Sequence, residues 1–510
     1  MSQKVTIKTV GIVILITVFT KFLGFTRELV LAYFYSASVI SDAYLLSSDI
    51  VSILFGWVLS FSVVFTPVFN TALIQDGKRR ALDYTRKILT IITILSILAI
   101  IITEIMPGVI VSMVGHGLSE PQKIYVVKFL RIIIFSIGFN ALSELFVSYL
   151  NLNESHIIAN VVGLPFNIIE IISISISVYC HNPMIMAFGV VGGNLSKCLV
   201  ALIASVTKGM KYVNLHIEYD SYIKQTWVMF IPIYCSNMLV EINTLIDKAF
   251  ASYLPEGSLT LLNYGAVSRR FIFNVFSIVI TSIFFPIFSR LVIKKGNYNV
   301  GDVVEKTINS AVVIFIPISF LVIIYSEDII RFLFNRGALK GETDNIASIF
   351  AFYCVGLTPM IINEICSKIV YSFKNSKLPL YTGIITIAFN CVFNYVFIKI
   401  MQTPGLAFAT SLSQLIISPA FLFLIHKKEC SIKFKVLLRN LFEIFIVNGI
   451  LFAIFYYIKK LEYFSTIRSR FGLLFAMAES IIFLALYIVI MFILKNRAIK
   501  ELFFYFRRRR

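Results

Sequence analysis

Two groups of ionisable residues stand inside long apolar stretches, where charge is costly. The first is Lys21, Arg27 and Glu28, followed at the head of the next stretch by Asp42 and Asp49. The second is Glu241, Asp247 and Lys248, followed by the adjacent pair Arg269 and Arg270. Ionised side chains within a bilayer persist where they face a protein interior, a water-filled cavity or a charged ligand. Ammonium and guanidinium groups hold anions, and the planar guanidinium fork suits phosphate in particular. The chemistry on offer is the sheltering of an anionic group, with Glu28, Asp49 and Asp247 as carboxylates for coupling or for lining a cavity. Helical spacing puts Lys21, Gly24 and Glu28 on one face, with Arg27 about 120° round the axis. Asp42 and Asp49 share a face of the following helix, which Ser52 and Gly56 continue. Asp247 with Lys248 reads equally well as a structural ion pair. A double arginine about twelve residues into a span has no easy lipid-facing position. Glu104, Glu170, Lys197 and Glu479 read as isolated charges.

The elements that must carry these residues are membrane helices. The chain has 510 residues, 58% hydrophobic and 14% charged, against about 25% charged in soluble domains. Mean hydropathy is +0.87. Long unbroken apolar runs exclude a membrane β-barrel, whose strands alternate over about ten residues. The sequence therefore predicts an all-α integral membrane protein. A span takes about twenty residues. Fourteen segments qualify: 8–34, 42–73, 86–114, 124–150, 156–180, 184–207, 224–252, 257–289, 306–327, 345–373, 378–400, 404–426, 436–458 and 469–494.

The net charge of +19 is a property of alternate loops rather than a nucleic-acid signature. Lys78, Arg79, Arg80, Arg86 and Lys87 follow the second span, and Lys427, Lys428, Lys433, Lys435 and Arg439 follow the twelfth. The loops at 35–41, 181–183 and 253–256 contain no Lys or Arg. Basic loops stay cytoplasmic, so both termini are expected there. The run Val10–Phe19 lacks a small-x-small cleavage site and reads as an uncleaved first span. The seven cysteines show no CxxC spacing and read as small core hydrophobes.

The sequence repeats. Tyr149-Leu-Asn-Leu-Asn153 and Phe166-Asn167 recur as Tyr371-Ser-Phe-Lys-Asn375 and Phe389-Asn390, offset by 222 to 223 residues. This divides the chain into six spans plus six: a first lobe over 1–222 and a second over 223–430. Residues 431–510 carry two extra spans and a basic tail. An even span count per repeat preserves orientation, so the repeats are parallel, with a substrate site between them. Glu144 and Glu364 fall at similar places in the two repeats.

Bond-making chemistry finds no support. There is no GxxxxGK[ST] loop for ATP, no HExxH and no clustered Cys/His pattern. No cofactor or metal is expected; coupling to a monovalent ion or to the membrane potential is left open.

At these same residues a family resemblance enters. Thr20-Lys-Phe-Leu-Gly-Phe-Thr-Arg-Glu28 with Ser41-Asp-Ala-Tyr44 resembles the first-span signature of the MurJ/MviN lipid II flippases, roughly S-R-x-L-G-F-x-R-[DE] then D-A-[FY]. Ile242–Ser258, Leu262-Asn-Tyr264, Phe284-Phe-Pro286 and Phe334-Asn-Arg-Gly-Ala338 continue it in the family's order. The resemblance implies a fold of the multidrug/oligosaccharidyl-lipid/polysaccharide (MOP) exporter superfamily: two six-helix lobes forming a V-shaped central cavity, plus two C-terminal helices. It implies a polyprenyl-diphosphate-linked saccharide as substrate, carried to the outer leaflet, with membrane lipids and cell-wall synthesis proteins as partners and no nucleic acid. Lys21, Arg27 and Asp42 take the places of cavity-lining Arg, Arg and Asp; Lys21 keeps the charge but lacks the planar fork. Three departures stand out. The family's arginine on span two is missing, its span-eight arginine aligns with Val267, and Asp49 adds negative charge. Arg269 or Arg270 is the expected substitute for the second. A capsule or O-unit saccharide is the alternative cargo. A drug/cation antiporter of the same superfamily would favour carboxylates over Lys and Arg, and an enzyme of polysaccharide assembly would need an acid/base pair that the loops do not supply.

Overall fold

A computed structural model describes residues 7–210, 219–279, 300–373, 377–429, 431–461 and 472–499. Every regular element among them is a helix. In order these are α1 (Ile7–Tyr35), α2 (Val39–Ile105), α3 (Pro107–Val114), α4 (Glu120–Ile133), α5 (Ser136–Leu152), α6 (His156–Val161), α7 (Leu164–Tyr179), α8 (Met184–Thr207) and α9 (Ser221–Ala251). There follow α10 (Ser258–Val279), α11 (Val300–Ile324), α12 (Ser326–Phe334), α13 (Thr343–Val355), α14 (Leu357–Ser372), α15 (Lys377–Met401), α16 (Thr403–Lys428), α17 (Phe434–Lys460) and α18 (Leu473–Ile493).

Each of the fourteen hydrophobic segments falls on a helix or on consecutive helices within the described residues; 280–289 of the eighth and 469–471 of the fourteenth lie outside them. Among the described residues, nine helices are long and apolar enough to cross a membrane, or up to eleven if each bent pair is one span. Neither α1 nor α10, which carry charge in their middle turns, is among the nine. The 67 residues of α2 would reach about 100 Å as one rod, some three times the hydrocarbon thickness. The helix is instead broken at Gly77, whose φ is 81°, so it covers the second and third hydrophobic segments.

The caps explain where helices begin. Ser38 and Ser41 form a capping box at the start of α2, satisfying amides that have no partner within the helix. Asp220 caps α9 through the amides of Tyr222 and Ile223 at 3.1 and 3.0 Å.

The repeat is visible in the bends. The fourth span bends by 44° between α4 and α5, and the tenth by 42° between α13 and α14. Gly356, at the second bend, stands 222 residues after Ile134 at the first, the offset found in the sequence. At the second bend the Ser411 hydroxyl donates to the carbonyls of Phe352 and Tyr353 at 2.7 and 3.2 Å. A Cβ at Gly356 would lie 2.7 Å from that same Ser411 Oγ, so this close approach requires glycine.

The chain forms two compact units, Met1–Thr260 and Leu261–Arg510. In the first, α2 packs on α4, α5 and α9, α8 packs on α5 and α7, and α1 lies along α6 and α7. Span seven, placed by the repeat at the start of the second lobe, packs as α9 on α2 of the first unit. Fully buried alanines such as Ala72, Ala141 and Ala201 let the helices approach closely, as bilayer packing requires. In the second unit α16 packs on α13, α14 and α15, and α11 packs on α14 and α17. The extra helices belong to this core: α18 packs on α17, and the Tyr487 hydroxyl donates to the Val313 carbonyl at 3.1 Å.

Candidate functional site

The first site candidate lies where α1 meets α6 and α7. Three side-chain contacts join them: Thr17 to Asn160 at 3.1 Å, Arg27 to Glu170, and Tyr35 to Ser177 at 2.8 Å. The sequence separation stays at 143, 143 and 142, which means the helices run in the same direction and in fixed register. Arg27 therefore meets Glu170. Its second amino group donates to Glu28 at 2.7 Å, and the guanidinium lies 5.8 Å from the centroid of the Phe166 ring. Glu28 and Glu170 are both buried, while 27% of the Arg27 side chain stays accessible. One guanidinium is thus held by two carboxylates. Lys21 is exposed and sits fourteen residues from either end of α1, about 21 Å along the axis.

Asp42 is enclosed rather than open. It is 2% exposed, and its carboxylate accepts from the Gly257 amide at 2.7 Å, the Thr260 amide at 2.8 Å and the Thr260 hydroxyl at 2.6 Å. The Gln122 amide donates at 3.4 Å. These donors include the Thr260 amide in the first turn of α10 and the Gly257 amide just before it, so Asp42 acts as a helix cap supplied from another helix. Gly257 has φ 88°, and a Cβ there would lie 2.7 Å from the Ala37 carbonyl oxygen; only glycine fits. Ser119 and Gly117 add bonds to Glu256 and Ser252 at 3.1 and 3.2 Å. Asp42 thus ties segments 36–42, 117–122 and 252–260 at the end of the unit opposite its basic loops.

Asp49 on α2 forms an ion pair with Lys248 on α9. Lys248 and its neighbour Asp247 are buried. This joins two helices within one unit, through a partner for Lys248 on another helix. In the second unit the adjacent arginines separate. The Arg269 guanidinium stacks 4.8 Å from the centroid of the Tyr353 ring and touches the Met360 sulfur. Arg270, a further 100° round α10, is exposed and makes no ion pair among the described residues.

Three charges that read as isolated have partners. Glu170 holds Arg27. Lys197 donates to Glu144 and Asn140 at 2.6 and 2.8 Å. Glu104 lies 3.9 Å from Arg131. In each case the partner comes from another span, and proximity along the chain is blind to it. A scan for opposite charges at a constant offset between spans of equal direction finds Arg27 with Glu170, because Thr17–Asn160 and Tyr35–Ser177 share that offset. No group of three or more His, Cys, Asp or Glu side chains placed to hold a metal occurs among the described residues.

Comparison with known proteins places this arrangement. The family model described as "Lipid II flippase MurJ" matches residues 31–475. A probable lipid II flippase MurJ of Buchnera aphidicola is 26% identical over 90% of both chains. One of Borreliella burgdorferi is 22% identical over 98% of both. A solved lipid II flippase MurJ in an inward closed conformation superposes with a TM-score of 0.78 at 21% identity, covering 94% of this chain and 99% of that one. An inward-facing multidrug MATE transporter of the MOP superfamily shares the fold at 11% identity and a TM-score of 0.65, covering 81% of this chain and 96% of that one. A match over most of the chain, to a family of membrane transporters rather than enzymes, makes this protein a member of the lipid II flippase MurJ family.

Proposed function

We propose that this chain carries lipid II, the diphosphate-linked peptidoglycan precursor, from the cytoplasmic to the outer leaflet of a bacterial cytoplasmic membrane by alternating access. The observation that carries the reading is Arg27. It lies about 12 Å inside α1 from Tyr35, anchored by two carboxylates, with 27% of its side chain accessible. A bidentate donor at that depth suits a diphosphate better than a drug cation. Lys21, exposed at mid-helix, supplies a second, less directional charge. Arg270 is the span-eight cation proposed to meet the headgroup, with Arg269 held aside by Tyr353.

Carrying the headgroup across about 30 Å of hydrocarbon requires that charge stay solvated or paired throughout. Asp42 is proposed as a clasp on the outer side rather than as a ligand, because its lone pairs are spoken for by backbone donors. Both termini are placed in the cytoplasm by the basic loops. Asp49 and Asp247 are the carboxylates proposed to sense a monovalent ion or the membrane potential, which is worth about 2.3 kcal/mol per charge per 100 mV.

The test is flipping of fluorescent lipid II in liposomes containing the purified full chain. Wild type is expected to translocate it, and Arg27→Ala and Arg270→Ala are each expected to lose most of the rate. Unchanged rates in both variants exclude the assignment. Equal transport of a lipid-linked capsule repeat would move the cargo away from lipid II while leaving the mechanism in place.

A further inference from the structure

We infer that Glu170 is an internal competitor for the substrate: its carboxylate occupies Arg27 until an anionic headgroup displaces it, and protonation of Glu170 favours the exchange. This rests on the reading of Arg27 as a diphosphate ligand. Counted formally, Arg27 with Glu28 and Glu170 carries a net charge of −1. A diphosphate brought to that site meets more negative than positive charge, so one carboxylate has to leave or lose its charge. Glu28 is the next residue on the same helix and moves with Arg27. Glu170 comes from α7, across a helix interface, and is the partner that can withdraw. It is also 2% exposed; buried in this way, a carboxylate deserted by its guanidinium is better kept as the neutral acid.

Among the described residues, Arg27 is the cation paired with Glu170. From α1 the cluster is faced by Arg27 and Glu28, and from α2 by the Tyr44 phenol. The charged residue of α8, Lys197, is engaged by Glu144 and Asn140. Glu170 is the carboxylate of α7. The competition is therefore between one protein carboxylate and one incoming anion for a single fork. Glu170 acts here as a positioning residue: without substrate it keeps Arg27 in place and neutralised, and with substrate it gives way.

The experiment measures binding of farnesyl diphosphate, with farnesol as the tail-only control, to the purified full chain in nanodiscs at about pH 8, far above the ordinary glutamate value of about 4.3, and at about pH 5, close to it. Glu170→Gln keeps the shape and removes the competing charge. At the higher pH it is expected to bind about tenfold more tightly than wild type, a modest share of a close charge repulsion. At the lower pH the ratio of the two affinities is expected to fall towards one, as Glu170 takes up a proton on losing its guanidinium. Equal or weaker binding by Glu170→Gln at the higher pH overturns the inference, as does a ratio that does not change with pH. Should Glu170→Gln fail to fold, Glu170→Asp decides: its shorter reach is expected to tighten binding at the higher pH, and no gain counts against the competition. Arg27→Ala separates the two levels. If wild type binds and Arg27→Ala does not, the ligand assignment stands whatever Glu170 does; if both bind alike, the assignment itself fails.

Discussion

The two compact units treat their intramembrane cations differently. In the first, Arg27 is held by two carboxylates and Lys248 by one. In the second, Arg269 lies on an aromatic ring beside a thioether, and Arg270 is exposed without an ion pair among the described residues. A carboxylate-held cation can serve an external anion only by exchange, so its charge is conditional. A guanidinium over a ring is positioned by the π face, which attracts the cation. The cation of the second unit that stands exposed is Arg270.

The sharpest way to break this comparison is to remove one cation from each unit. Arg27→Ala leaves Glu28 and Glu170 buried together with no guanidinium, and stranding a buried charge costs about 3–5 kcal/mol. A melt of the detergent-purified protein should shift far below wild type, and flipping should be lost with it. Arg269→Ala should cost less, about 1–2 kcal/mol for the lost cation–π contact and packing. If the two variants melt alike, the contrast between the units does not hold.

Asp42 ranks next. Asp42→Ala strips the acceptor from two amides and one hydroxyl, and an unsatisfied buried donor costs about 1–3 kcal/mol. Hydrogen exchange at Gly257 and Thr260 is expected to accelerate while that of the α7 amides is unchanged. Uniform acceleration over both would mean that Asp42 supports the whole unit rather than one clasp.

A smaller effect sharpens the second unit. Arg270→Ala removes an exposed side chain, so the melting point should hold within the usual surface range of about 0.5 kcal/mol, while flipping falls. Arg269→Ala should do the reverse, losing more stability than transport. If transport follows Arg269 instead, the two arginines exchange their assigned tasks.

How much of this could be read from sequence depends on the kind of contact. Apolar runs of membrane length located the helices, because backbone satisfaction in lipid leaves few other solutions. The paired bends at Ile134 and Gly356 stand at the same 222-residue offset, though nothing in the repeat foretold a bend. The charges were harder. Lys21, Arg27, Asp42 and Arg270 stood out by type, yet their partners did not, since a partner is set by which helices pack and in what register. Glu170 looked isolated because its guanidinium lies 143 residues away. Asp42 looked like a ligand because nothing in a sequence distinguishes a carboxylate that accepts from backbone amides from one that faces water. The neighbours Arg269 and Arg270 were inseparable until helical phase assigned one to Tyr353.

The smallest effect lies outside the membrane and completes the contrast between sheltered and solvated charge. Asp220, at the head of α9, accepts from the amides of Tyr222 and Ile223 and is paired with Lys87 at 3.0 Å and Arg80 at 3.4 Å. Burial pushes its carboxyl up, but the Ile223 amide and the two cations outweigh that and hold it below the ordinary value. A depressed folded-state value means the folded protein prefers the ionised form. The stabilisation is therefore complete above the unfolded aspartate value of about 3.9 and is lost as pH falls from there through the folded value. Asn caps a helix as well as Asp, so Asp220→Asn keeps the cap and removes only the charge. At neutral pH that variant should be less stable by up to about 1 kcal/mol, the range for solvent-screened pairs. The gap should close below about pH 4, by the same linkage, and it should shrink in high salt. A gap that persists in acid would assign the effect to capping geometry rather than charge, and Asp220 would then join Asp42 as a carboxylate that works through backbone amides.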